Sequence, residues 1–180
     1  TGVWLDWLCN RPLKDGTHSI HCRYNLWLAF ALLFAEDTFG GGAYRMAADR
    51  VARFYRFAQS PDGVLTQAIR SDGRLFCLQP LSSSSAMASL LWLKLMRNGF
   101  DDAYAQGILL TLYFIMGNQF PARWRDAALR GAFYEAWGQR LAIGFQRDVG
   151  TIWSVQFLAK LLLGMKEMRL TSVEEWCEDR

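Results

Sequence analysis

Along Ala43–Gln59 the apolar residues Tyr44, Ala47, Ala48, Val51, Phe54, Tyr55 and Ala58 recur three or four positions apart. That spacing draws a single stripe down an α-helix, with Arg45, Asp49, Arg50, Arg53 and Arg56 on the opposite, solvated face. Tyr24–Glu36 is apolar nearly all round, which predicts a helix buried on several sides. Gly40-Gly41-Gly42 breaks the chain between these two helices. It opens no phosphate loop, because no Lys-Ser/Thr follows. Further helices are predicted over Ser84–Asn98, ended by Asn98-Gly99, and over Asp101–Met116, with Asp101 or Asp102 as N-cap and Pro121 closing it. Ala122–Trp137 and Thr151–Leu163, the latter stopped by Gly164, follow the same period. Thr171–Arg180 reads as a short capped helix.

No segment keeps a period of two. Val64–Ile69 and Arg74–Leu78 are short enough to form a β-hairpin around Ser71-Asp72-Gly73. The expected fold is all-α, a single toroid-like domain over residues 1–180 built of stacked helical hairpins, with one long loop at Ser60–Pro80. Apolar helices would form an inner layer and amphipathic ones an outer layer. A loop of that length inside a compact domain is usually functional.

Composition narrows the classes. Hydrophobic residues make up 52% of the 180 positions and charged residues 21%, so the chain buries a core and is not disordered. The longest apolar run, Leu26–Ala35, falls well short of the roughly 20 residues a bilayer span needs. Twenty basic against 17 acidic residues leave +3, too mild to imply nucleic acid. Cys9, Cys22, Cys77 and Cys177 form no CxxC motif. The opening Thr1-Gly2-Val3 carries no leader pattern, as expected of a processed product or a piece of a longer chain.

Two stretches carry candidate chemistry. Asp15–Trp27 contains both histidines, His18 and His21. A helix starting near Ser19 would put His21, Tyr24 and Asn25 on one face with Trp27 close by. An imidazole there can act as a general base near neutral pH, and the same residues also read as a cap and a surface side chain. HxxH with Cys22 or Cys9 is a weak zinc pattern, so no metal and no cofactor are expected. In the long loop, Arg70 and Arg74 stand among small residues, and a guanidinium holds a carboxylate through two parallel bonds. They also read as a solvated turn. Ser82–Ser85 reads as a helix start and its cap, because no GxSxG elbow is present. Most tryptophans are expected in the core, with the remainder available to stack on sugar rings.

Taken in order, these features resemble the alginate-lyase-like polysaccharide lyases, whose fold is an incomplete (α/α) toroid. In that family an Asn-Asn-His segment starts an apolar helix, with an aromatic three residues after the His and a Trp six after. His21, Tyr24 and Trp27 match that spacing. Asp62-Gly63-Val64-Leu65 resembles the family's Asp-Gly-Phe-Leu, and Arg74-Leu75-Phe76 its Arg-Ala-Leu. The likeness covers about residues 15–95. Ser19-Ile20 stand where the family has its Asn pair, and Phe76, Cys77 and Leu78 stand where it has a Tyr.

The resemblance implies β-elimination on a uronate-containing, anionic polysaccharide, and an extracytoplasmic location. It implies catalytic roles for His21, His18, Tyr24 and Arg70, and substrate binding by Arg74, Arg23, Trp27, Asn25 and Gln79. Two other classes stay open. The Ile20 and missing-Tyr departures favour a non-catalytic toroid that binds polysaccharide or a protein. The aromatic composition permits a toroid enzyme acting on a small, terpenoid-like apolar substrate, with Cys22 or Cys77 in acid–base work. Six helices make half of a six-hairpin ring, so exposed inner faces predict a homo-oligomer or the remainder of a larger chain.

Overall fold

The computed structural model describes residues 10–74, 80–100, 103–119 and 152–167, together with 122, 123 and 130. Five helices are seen: α1 Cys22–Phe39, α2 Ala43–Ala58, α3 Ser82–Arg97, α4 Tyr104–Gly117 and α5 Ile152–Glu167. The helices expected over 122–137 and 171–180 lie outside the described residues.

The triglycine sets the first hairpin. Gly40, Gly41 and Gly42 all take positive φ, at 69°, 89° and 82°, a conformation that costs any other L-residue about 1–2 kcal/mol. Three such residues reverse the chain without a longer loop. Glu36, buried near the end of α1, then reaches over the turn. Its carboxylate accepts the backbone N–H groups of Gly42 at 2.8 Å and Arg45 at 3.2 Å. An acidic group from one helix therefore satisfies the amino terminus of the next, where the helix dipole favours it.

Two tie points fix the helix directions. Arg23 on α1 donates to the Ser83 hydroxyl on α3 at 2.9 Å, joining their amino ends. Arg97 on α3 donates to the Gly164 carbonyl on α5 at 2.9 Å, joining their carboxy-terminal turns. Helices α1, α3 and α5 thus run in parallel, while α2 and α4 return antiparallel on the other side. This is the inner and outer alternation of stacked α-hairpins. Helix α3 is the keystone, with every residue from Ser82 to Leu93 buried. Its serines form the helix start, as expected, but do not cap it: the N-cap is Leu81, and no side chain caps the helix. Small side chains let neighbouring helices approach closely on all sides.

The layering matches the expectation for α1, α2 and α3. Helix α4 departs from it, being apolar yet outer, and it leaves Tyr113 and Met116 exposed. Asp49, expected on the solvated face of α2, is only 3% exposed. It accepts from the Tyr104 hydroxyl at 2.7 Å and from Arg53 at 2.8 Å, so it fastens α2 to α4. Trp92 stacks on Tyr104 at 6.2 Å and donates its indole N–H to the Ala52 carbonyl at 3.0 Å.

The mostly helical expectation holds, with one addition. A three-stranded antiparallel sheet, β1 Asn10–Pro12, β2 His18–His21 and β3 Ala68–Arg70, lies against the amino end of α1 in the order β1-β2-β3. Its strands are three or four residues long, too short for alternation to stand out from the sequence. The turn at Ser71-Asp72-Gly73 forms as expected, but β3 pairs with β2. The proposed return strand falls mostly on residues 75–79, outside the described residues.

One turn design appears three times. In 13–17, 60–64 and 70–74 the first residue's N–H bonds the fifth residue's carbonyl, at 2.8, 3.1 and 2.7 Å. In each the fourth residue is a glycine at positive φ, Gly16, Gly63 or Gly73, donating back to the first carbonyl. An aspartate precedes each glycine. This is a tight turn closed by a left-handed residue, the three-residue hairpin loop. Asp15 and Asp72 strengthen it by accepting the N–H two residues on, at 3.2 and 3.0 Å.

Candidate functional site

The sheet and the amino ends of α1 and α3 meet at one place, and His21 stands at the junction. It ends β2 and is the N-cap of α1, with extended backbone. The helix therefore begins at Cys22, not near Ser19. The first helical N–H, of Cys22, donates to the Gln67 carbonyl at 3.0 Å, which satisfies one of the helix's orphan donors and anchors the loop leading into β3.

His21 keeps its expected aromatic neighbour. Its ring lies 4.4 Å from Tyr24 at 32°, and Tyr24 lies 6.3 Å from Trp27 edge-on at 71°. Tyr24 and Trp27 are 43% and 42% exposed, so the ladder runs from a half-buried imidazole out to open aromatic faces. The His21 Nδ1 is buried and has no hydrogen-bond partner among the described residues. Burial, with the Arg23 charge adding to it, pushes the imidazole pKa below its ordinary value. The neutral ring is therefore the favoured form.

The other expected site residues scatter. Side chains alternate along a strand, so His18 and Ile20 share one face of β2 while Ser19 and His21 share the other. His18 does not join His21. Its backbone instead exchanges hydrogen bonds with Ser71, to the hydroxyl at 3.0 Å and from the N–H at 2.8 Å. Arg70 pairs opposite Ser19 and Ala68 opposite His21, so Arg70 does lie on the His21 face, one diagonal position away.

Arg70, however, is already engaged. It pairs with Asp15 and reaches Asp72 at 3.6 Å. Hydrogen bonds from the Thr17 hydroxyl and then from Arg70 hold the Asp15 carboxyl well below the usual carboxylate range, while Asp15 pushes the Arg70 pKa up. The Arg74 side chain is 81% exposed and forms its ion pair with the same Asp72, at 3.7 Å. Arg23 is the cation whose charge reaches His21. Asn25 is buried, with its amide donating to the His21 carbonyl at 3.3 Å. It braces the helix start rather than facing outward. Gln79 lies outside the described residues. Cys22 is fully buried in the core, which removes it from acid–base work; Cys77 lies outside the described residues.

Sequence reasoning missed three features. Arg23 was placed among the binding residues, but its position between His21 and Ser83 depends on α3 arriving beside α1. The acids on Arg70 come from two separate Asp-Gly turns. The third is a groove of about 600 Å³ between α1, α3 and α5, which Trp27 enters from the ladder. Its signal in the sequence was the apolar solvent side of α1, read there only as burial.

The chain matches no protein-family model and no curated protein. Among solved structures it is similar to a variant of unsaturated glucuronyl hydrolase described with the saccharide dGlcA-Glc-Rha-Glc, at a TM-score of 0.56 and 20% identity. The match covers 80% of this chain but only 39% of that one. The likeness is one of fold: the chain's stacked helix pairs correspond to part of an α/α toroid.

Proposed function

We propose that this chain forms the catalytic half of a toroid that cleaves uronate-containing saccharides by β-elimination. The supporting observation is the His21–Tyr24–Trp27 ladder beside Arg23, at the shared amino end of two parallel inner helices. The toroid relative is described with a saccharide bearing dGlcA, which suits the same substrate class.

The chemistry follows from the groups present. Arg23 faces the uronate carboxylate and offsets its charge, which makes the adjacent C5–H more acidic. Neutral His21 takes that proton. The electron pair forms the C4–C5 double bond as the C4–O bond breaks, and Tyr24 protonates the departing glycosidic oxygen. Trp27 carries the sugar ring. His18, Arg70 and Arg74 are assigned no step, because one lies on the other strand face and the others sit on carboxylates.

A two-carboxylate glycosidase is the weaker reading. It needs an acid pair flanking the bond. Among the described residues the buried acids Glu36 and Asp49 are engaged in helix ties, and Asp15 and Asp72 are held on Arg70. The named relative keeps a hydrolase acting on an unsaturated uronyl end as the second reading. One experiment separates the two. With uronate polymers, β-elimination raises the ultraviolet absorbance of the new double bond. With unsaturated uronyl oligosaccharides, a hydrolase lowers it. No change with either substrate leaves binding alone.

A further inference from the structure

The groove between α1, α3 and α5 is chemically unlike a sugar site. Its walls are Trp27, Phe30, Phe34, Leu93 and Phe157, with other leucines. Among the described residues, none of those lining it is a Ser, Thr, Asn, Gln, Tyr or His. Sugar hydroxyls laid along the aromatic and leucine wall would stay unpaired, with only the charged side chains to bond them. The polar groups that do line it are charged: Lys94, Arg97 and Lys160 against the single acid Asp37.

Helix dipoles account for part of this. Lys94 and Arg97 lie in the last turn of α3, where cations are favourable, and Arg97 is pinned across the seam by the Gly164 carbonyl at 2.9 Å. Lys160 lies well before the end of α5, so its place beside the other two has no such explanation. Asp37, near the carboxy end of α1, offsets one of the three cations. The described residues thus leave an excess of positive charge lining an apolar trough, whose volume of about 600 Å³ is within the usual range for small ligands.

We infer that this groove binds a free amphiphilic carboxylate, its alkyl or ring body against Phe30, Phe34 and Phe157 and its anion beside Lys94, Arg97 and Lys160. The inference does not depend on the saccharide chemistry of His21, and it assigns a second ligand class to the molecule.

The probe is decanoate below its micellar concentration, titrated calorimetrically into the full chain, with decylamine as the charge-reversed control. Decanoate binds and decylamine binds at least about tenfold more weakly. Lys94→Glu with Lys160→Glu, two exposed positions, weakens decanoate by a similar factor, and raised salt does the same in the unaltered protein. Phe34→Glu abolishes binding of both. Equal affinity for the two probes, or no response to salt, overturns the inference, because the groove is then a bare apolar face. Protein-concentration-dependent mass doubling that Phe34→Glu abolishes, with no decanoate heat, also overturns it and assigns the groove to a second copy of the chain.

Discussion

The Arg70 guanidinium closes on the Asp15 carboxylate across 55 positions of sequence, locking the β1–β2 turn to the end of β3. A cation that looked available for substrate is thereby committed to holding the sheet together. Asp72, from the neighbouring turn, completes the clamp.

This pairing has a pH signature. The Asp15 carboxyl is held well below its ordinary range by Thr17 and then Arg70, so the folded form binds its proton less readily than the unfolded chain. Its contribution is complete above the ordinary carboxylate value of about 4 and is lost as pH falls below it. Asp15→Asn lowers the thermal midpoint at neutral pH, and the gap to the unaltered protein narrows below about pH 4. A gap that stays constant through this range would show the pair to be energetically idle.

His21 titrates in the opposite chemical sense. Burial first and Arg23 second disfavour the imidazolium, so the folded protein resists protonation there. Stability therefore declines as pH drops below the ordinary histidine value of about 6.5. Proton NMR should find the His21 ring titrating below the ordinary histidine value, and Arg23→Gln should move it upward. A His21 pKa at or above the ordinary value contradicts the assignment of a neutral base.

If the elimination chemistry is right, His21→Ala lowers turnover by about a hundredfold or more. Tyr24→Phe lowers it less, with KM nearly unchanged. Arg70→Gln acts through stability alone, lowering the melting temperature without a change in kcat for the folded fraction. Full activity in His21→Ala removes the mechanism.

Glycines at positive φ differ sharply in tolerance. A Cβ on Gly63 would run into the Leu110 carbonyl oxygen, whereas at Gly41 nothing lies within 4 Å. Gly41→Ala should cost about 1–2 kcal/mol of backbone strain. Gly63→Ala adds a backbone clash to the same strain and should cost clearly more, read from urea denaturation midpoints. Similar losses at both sites would place the 60–64 turn farther from α4.

The α2–α4 fastening gives a third stability contrast. Tyr104→Phe removes a buried hydrogen bond to the Asp49 carboxylate, worth about 1.5–3 kcal/mol. Arg53→Ala removes an ion pair whose arginine is 56% exposed, worth about 0.3–0.5 kcal/mol. Asp49→Ala costs more than either, because it withdraws the acceptor from both.

Much of the helical scaffold could be read directly. The stripe from Tyr44 to Ala58, the stop at Asn98-Gly99 and the punctuation at Gly40-Gly41-Gly42 are local signals, each decided within a turn or two of helix. So was the turn at Ser71-Asp72-Gly73, since a left-handed position selects glycine wherever it occurs. The His21, Tyr24 and Trp27 spacing survived a wrong helix start, because the interval of three residues brings side chains together whether the first of them is cap or helix.

Tertiary pairing decided the rest. Strand alternation sent His18 and His21 to opposite faces, and no periodicity in four residues could announce it. Asp49 looked like one more charge on a solvated face until Tyr104 arrived from 55 positions away. The pairing of Arg70 with Asp15 and of Arg23 with Ser83 depends likewise on segments 55 and 60 residues distant. Backbone conformation answers to near neighbours, whereas the availability of a charge depends on which distant groups folding brings within bonding range.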